Sequence, residues 1–157
     1  MNIFLTITMS VLLLLSNASL SAQQPLELGK VVEALERDGN ISLDNGNVLI
    51  AKYDFTVDGD LVEAISFRPS TDGKHPGVLL VPGFSRTAQD YIPMGLRLAK
   101  EGFACVAVTQ CGFGKSAGKP DFVGPKTIRS LEAGFQKFRQ EPYVANSRMG
   151  VFGYSRG

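Results

Sequence analysis

Serine flanked on both sides by glycine, one residue removed, occurs twice in this 157-residue chain, as Gly114-Lys-Ser116-Ala-Gly118 and as Gly153-Tyr-Ser155-Arg-Gly157. A serine hydroxyl can act as a nucleophile when a strand runs straight into a sharp turn that lifts it above the sheet. That turn is strained and crowded, so glycine at both flanks avoids Cβ clashes. A helix starting at once would aim its first amides at the oxygen that becomes negative during acyl transfer. The pattern is only moderately specific, so context decides between the copies. Ser155 follows Met149-Gly-Val-Phe152, an apolar run leading directly into Gly153. Ser116 is separated from the preceding apolar run by Thr109 to Lys115, and Gly118-Lys-Pro120 follows it instead of a helix. Ser155 is therefore the candidate nucleophile, against the alternative of a surface-turn serine, and Ser116 is read as an ordinary loop serine.

A second donor site is suggested by Val81-Pro-Gly83-Phe84-Ser85, which follows the apolar run Gly77 to Val81. A glycine-containing turn at that strand end can present the Phe84 N–H to an oxyanion opposite the nucleophile. The segment Gln110-Cys-Gly112-Phe-Gly114-Lys-Ser116 invites two other readings. It ends like a phosphate-binding loop, but Thr109 stands where the first glycine belongs and no helix starts at Ser116. Gly112-x-Gly114-x-x-Ala117 imitates a dinucleotide fingerprint, again without the helix and without an acidic residue closing a second strand. The loop is better read as shaping a substrate mouth beside the strand end. Cys105 falls inside a buried strand and Cys111 in the loop, too far apart in extended chain for a mutual disulfide. The single histidine, His75, precedes Pro76 in a loop and is read as a surface residue.

The elements that must position these residues follow from apolar spacing. Leu26 to Gly39 reads as a short helix with Val31, Val32 and Leu35 on one face. Val48 to Val57 and Leu61 to Phe67 read as strands joined by the hairpin signal Asp58-Gly59. Gly77 to Val81 and Phe103 to Val108 are continuous apolar runs, as expected of strands covered on both faces. Thr87 to Glu101 and Pro125 to Gln140 have helical spacing; in the second, Ile128, Leu131, Phe135 and Phe138 form a stripe. Arg148 to Phe152 is a last short strand. The order is a hairpin, then strand, helix, strand, helix, strand, which implies an α/β fold with a mostly parallel sheet and flanking helices.

Composition narrows the function. Sixteen Lys+Arg against fifteen Asp+Glu leave a net charge of +1, which supplies no basic surplus for nucleic acid. With 44% hydrophobic and 20% charged residues the chain is globular in character. Two cysteines and one histidine suit neither a disulfide scaffold nor a histidine- or thiolate-rich metal site, so no metal or cofactor is expected. Ile3 to Leu15 is apolar apart from Thr6, Thr8 and Ser10, and a small-residue stretch to Ala22 follows. This is the pattern of a secretory signal peptide cleaved after Ala22 or Ser21, with a secreted or periplasmic product, against the alternative of an uncleaved N-terminal anchor, for which the apolar run is short. No later stretch is apolar enough to span a membrane.

Gly77 to Ser85, the loop around Gly112 to Gly118, the stretch Glu141 to Gly153 and the elbow at Ser155 together resemble the α/β-hydrolase superfamily. Within it they are similar to the dienelactone hydrolase-like and prolyl-oligopeptidase-like serine hydrolases. The resemblance covers residues 47 to 157, after a signal at 1–22 and a helix with lead-in at 23–46. It implies a serine hydrolase acting on small-molecule esters, with peptides possible substrates, through an acyl-enzyme on Ser155. The Phe84 and Arg156 amides would hold the oxyanion, and Gly153 and Gly157 would be the elbow glycines. Dienelactone hydrolase itself uses a cysteine nucleophile, unlike Ser155 here. Many relatives open the glycine loop with an aspartate and carry an arginine before its first glycine; here Thr109 and Cys111 hold those places. In the superfamily the acid and the histidine follow the serine in chain order, and only Arg156 and Gly157 follow it here. The expectation is an N-terminal part of a hydrolase domain, truncated at its nucleophile elbow and inactive alone. The competing expectation is a non-catalytic secreted binding or structural module on the same scaffold.

Overall fold

A computed structural model describes residues 27–157; the expected signal segment lies outside the described residues. Helix α1 (Leu28–Asp38) buries Val31 and Leu35, which stand one turn apart on its inner face. It ends at Gly39, whose φ of +74° lets its N–H close onto the Leu35 carbonyl at 2.9 Å. Strand β1 (Asn40–Leu43), in the segment expected to be lead-in, pairs antiparallel with β2 (Val48–Lys52).

The hairpin expected over 48–67 forms, but in two pieces. Strand β2 pairs with β5 (Ala64–Pro69), while β3 (Phe55–Val57) and β4 (Asp60–Val62) pair only with each other. The Asp58-Gly59 turn between them has positive φ at both residues, as a type I′ hairpin requires. The break comes from polar residues at the junction. The Asp54 carboxylate accepts the Ala64 N–H at 2.9 Å, and Glu63 is buried instead of continuing the ladder.

Strand β6 (His75–Val81) starts earlier than the apolar run and includes His75 and Pro76. A 3₁₀ turn (Ala88–Tyr91) capped by Thr87 and Asp90 leads into helix α2 (Ile92–Lys100), with Pro93 in the first turn, where its missing N–H costs nothing. Strand β7 (Ala104–Val108), helix α3 (Pro125–Phe138) and strand β8 (Val144–Gly153) complete the order. The six-stranded sheet runs β1-β2-β5-β7-β6-β8. Its core, β7-β6-β8, is parallel, and the antiparallel strands β1, β2 and β5 extend it on one side. Helices cover both faces. Cys105 and Ala107 of β7 join the cluster with Phe67, Ile92 and Leu96 on the α1/α2 side. Ala104, Val106 and Val108 join the cluster with Phe138 and Val144 on the α3 side. This alternation is why β7 is apolar at every position.

Of the expected α3 stripe, Phe138 is buried and Leu131 and Phe135 pack against the core, while Ile128 departs from it. Ile128 is 49% exposed, and the buried face is Thr127, Ser130, Gly134 and Phe138. Small residues face inward because the helix lies close to the sheet: a Cβ on Gly134 would be 3.0 Å from Phe55 and 3.1 Å from Val108. Strand β8 is longer than expected, since its register against β6 shifts between Pro76 and Gly77 and a second pairing reaches back to Val144. Among the described residues no helix is long and apolar enough to cross a membrane.

The start of α3 is held from outside the helix. The Asp121 carboxylate accepts the Lys126 N–H at 2.7 Å and the Thr127 N–H at 3.1 Å, doing the work of an N-cap. Burial alone would raise the Asp121 pKa, but the hydrogen bonds from Thr127, Lys126 and Gly124 outweigh it and hold the carboxyl below its ordinary 3.8. Asp121→Ala is expected to lower stability by about 1 kcal/mol. A carboxyl depressed in the folded state contributes above its unfolded pKa and loses that contribution as pH falls through the folded one. The melting difference between wild type and Asp121→Ala should therefore be full at pH 7 and shrink below pH 3.8. A difference independent of pH would contradict the assignment.

Candidate active site

Parallel pairing of β6 and β8 through Val81 and Gly153 delivers two turns side by side at one end of the sheet. After β8, the chain turns at Tyr154–Gly157, closed by the Gly157 N–H on the Tyr154 carbonyl at 3.0 Å. Ser155 sits in that turn with φ of +61°, a region serine rarely enters and which stores strain where it occurs. The glycine requirement is steric. A Cβ on Gly153 would collide with the Gly157 backbone, and a Cβ on Gly157 would collide with the Val81 carbonyl.

The turn after β6 lies against this elbow. A Cβ on Gly83 would stand 2.9 Å from the Tyr154 carbonyl oxygen and 3.4 Å from Ser155 Cβ. Ser85 also has positive φ, +60°, and the Arg86 N–H closes the turn onto the Gly83 carbonyl at 3.1 Å. The backbone of Gly83-Phe84 and the backbone of Ser155-Arg156 are thus neighbours, although more than seventy positions apart in sequence (155 against 83).

Three phenylalanines, one from the turn after β6 and two from the connection between β7 and α3, form an apolar surface here. Phe84, 50% exposed, meets Phe113 edge-on at 5.5 Å and stacks on Phe122 at 5.9 Å between ring centroids. The Arg156 guanidinium lies 4.8 Å from the centre of the Phe84 ring and 5.5 Å from that of Phe122. The loop expected to shape a mouth contributes Phe113 to this surface.

Ser116 lies in the loop, where it belongs to the framework beneath this surface. It is 7% exposed; its hydroxyl accepts the Glu63 N–H at 3.0 Å and donates to the Thr109 carbonyl at 2.9 Å. Glu63 is the anchor. Its carboxylate accepts the Thr109 hydroxyl at 2.9 Å and the Lys115 N–H at 3.2 Å, and the Thr109 Oγ1 in turn accepts the Ala88 N–H at 2.8 Å. Gln110, two residues beyond the end of β7, donates its side-chain amide to the Pro82 carbonyl at 2.6 Å. Neither Glu63 nor Gln110 was singled out by motif. Their signal was a polar residue beside an apolar strand run, which is weaker than a motif.

The remaining candidates lie elsewhere. Cys105 is fully buried in β7, and burial pushes its thiol up to about 12. Cys111 has no disulfide partner and is raised by burial; its thiol contacts the Ala117 and Lys119 carbonyls at 3.2 and 3.3 Å. His75 stands at the opposite end of β6, where its ring nitrogen Nε2 is 3.2 Å from the Thr71 carbonyl. Six strand steps separate it from Val81, about 20 Å, so it cannot reach Ser155.

No protein-family model matches the chain, and no curated protein matches it. Solved structures do. The acetyl xylan esterase 1 of Thermoanaerobacterium sp. JW/SL YS485 is similar at a TM-score of 0.61 and 24% identity, over 75% of this chain and 44% of that one. Esterase Est22 is similar at 0.61 and 21% identity, over 72% of this chain and 37% of its own. The α/β hydrolase GrgF of Penicillium sp. sh18 is similar at 0.56 and 21% identity, over 66% and 37%. The fold is that of an α/β hydrolase. This hydrolase fold is present in part: the chain spans under half the length of each of these structures.

Proposed function

We propose that these residues form the nucleophile and oxyanion-binding part of a serine hydrolase acting on carboxylic esters. The observation that carries the reading is Ser155 at positive φ on a tight bend at the end of β8, packed against Gly83. In this mechanism the Ser155 Oγ attacks the ester carbonyl and gives its proton to a general base. The tetrahedral oxyanion receives the Phe84 and Arg156 N–H groups. Collapse expels the alcohol, which takes the proton back from the base, and water then releases the acid from the acyl-serine. Esters are favoured over amides because two of the similar proteins are named esterases. The Phe84, Phe113 and Phe122 surface favours a substrate with an apolar group beside the carbonyl.

The base and its orienting acid are not supplied by these residues. The one histidine is at the far end of the sheet. The 157-residue polypeptide by itself is therefore expected to turn over no p-nitrophenyl ester. The protein expressed from its full gene is expected to take up a fluorophosphonate probe, with the adduct mapping by peptide mass spectrometry to Ser155. An adduct on any other serine, Ser116 included, would overturn the reading. A protein that takes up no probe at all would be a non-catalytic module on this scaffold.

A further inference from the structure

We propose that Gln110 is a positioning residue that sets the gap between the two oxyanion-binding amides; the proposal rests on the hydrolase reading above. Gln110 is 3% exposed and lies two residues beyond the end of β7. In the sheet, β6 lies between β7 and β8. The Gln110 side chain reaches over the end of β6, donates to the Pro82 carbonyl at 2.6 Å, and approaches the Arg156 carbonyl at 3.5 Å. A carboxamide nitrogen has two N–H bonds, so one group can serve both carbonyls.

Those two carbonyls are well chosen for the purpose. The Pro82 carbonyl belongs to the peptide unit just before the one carrying the Phe84 N–H. The Arg156 carbonyl belongs to the residue whose own N–H is the second donor. Between Pro82 and Phe84 stands Gly83, packed so closely against the Tyr154 carbonyl and Ser155 that it has little room to turn. Holding the Pro82 carbonyl limits how far the Phe84 amide can swing. Gln110 is itself held on both sides. The Thr109 N–H bonds the Glu63 carbonyl at 2.9 Å, the Thr109 hydroxyl bonds the Glu63 carboxylate at 2.9 Å, and the Phe113 N–H bonds the Gln110 carbonyl at 3.2 Å. Rigid support of this kind is what a preorganised donor pair needs, because donors that must reorient lose most of their effect.

The test uses the protein expressed from its full gene and p-nitrophenyl acetate. Ser155→Ala first establishes that turnover depends on Ser155; if wild type shows no such turnover, the hydrolase reading fails and this proposal falls with it. Gln110→Met keeps the length and removes the donor. Gln110→Glu keeps the shape and sets a carboxylate against two carbonyls. Both are expected to lower kcat by about 10- to 100-fold with KM within about twofold. The ratio of Gln110→Glu to wild-type kcat should rise below about pH 6, because a buried carboxyl then protonates and can donate to Pro82. A side chain that merely fills space would not give that pH dependence. Wild-type kcat in both variants, a loss confined to KM, or a ratio flat with pH would overturn the proposal. If thermal melts show Gln110→Met unfolded, the pH ratio of Gln110→Glu decides; unfolding of both would make the side chain purely structural and overturn it too.

Discussion

Ser155→Ala is expected to lower ester turnover by about four to six orders of magnitude, and Ser116→Ala to leave kcat within about twofold. The two serines share the same glycine spacing, and their surroundings set their opposite fates. Ser155 is exposed at the end of a strand, beside the backbone of Gly83. Removing its hydroxyl removes the bond-forming atom, while the fold loses no hydrogen bond that it is known to need, so the melting temperature should stay near wild type. Ser116 sits under the loop with both of its hydrogen bonds to backbone groups of Glu63 and Thr109. Its loss leaves the buried Glu63 N–H without a partner, a cost of about 1–3 kcal/mol. Steady-state kinetics and thermal melts of the two variants should therefore separate cleanly, one losing rate and the other losing stability. A Ser155→Ala protein that keeps its turnover would remove the basis of the functional proposal.

Gly153→Ala is expected to reduce kcat/KM by about 100-fold or more, with Gly157→Ala behaving alike. A methyl group at 153 would occupy the space of the Gly157 backbone, and one at 157 the space of the Val81 carbonyl. Neither obstacle is a flexible side chain, so the bend itself must open. Opening it moves Ser155 and the Arg156 amide away from the Phe84 amide, and a displacement of about 1 Å at reacting groups is worth about two orders of magnitude in rate. Gly150→Ala is the matched control in the same strand, because a Cβ there meets nothing within 4 Å. It should retain wild-type kcat/KM. Equal activity in Gly153→Ala and Gly150→Ala would show that the tight bend is not required.

Much of this was legible in the chain before folding was considered. Local spacing was enough wherever the deciding force was local. The Asp58-Gly59 hairpin formed because those residues accept positive φ, and the burial of Ile92, Gly95, Leu96 and Ala99 on α2 follows from helical period alone. Spacing failed where one surface had to fit another. On α3 the large residues Leu131, Phe135 and Phe138 do face the core, but close approach to Phe55 and Val108 turned Gly134 inward as well and left Ile128 in water. The hairpin over 48–67 was split by Asp54 and Glu63, whose partners are Ala64, Thr109 and Lys115. No period in the local sequence records those partners.

The amino-acid order alone decided that a serine would stand at the end of an apolar strand between two glycines, because strand propensity and steric room at a bend are properties of neighbours in the chain. Folding decided which of two such serines is presented and which is buried, and what holds the presented one. Strand β6 inserts between β7 and β8, so Gln110, Pro82 and Arg156 meet only once the sheet has assembled. Such contacts depend on strand order and register, which are fixed by the burial of whole faces and not by any single stretch of sequence.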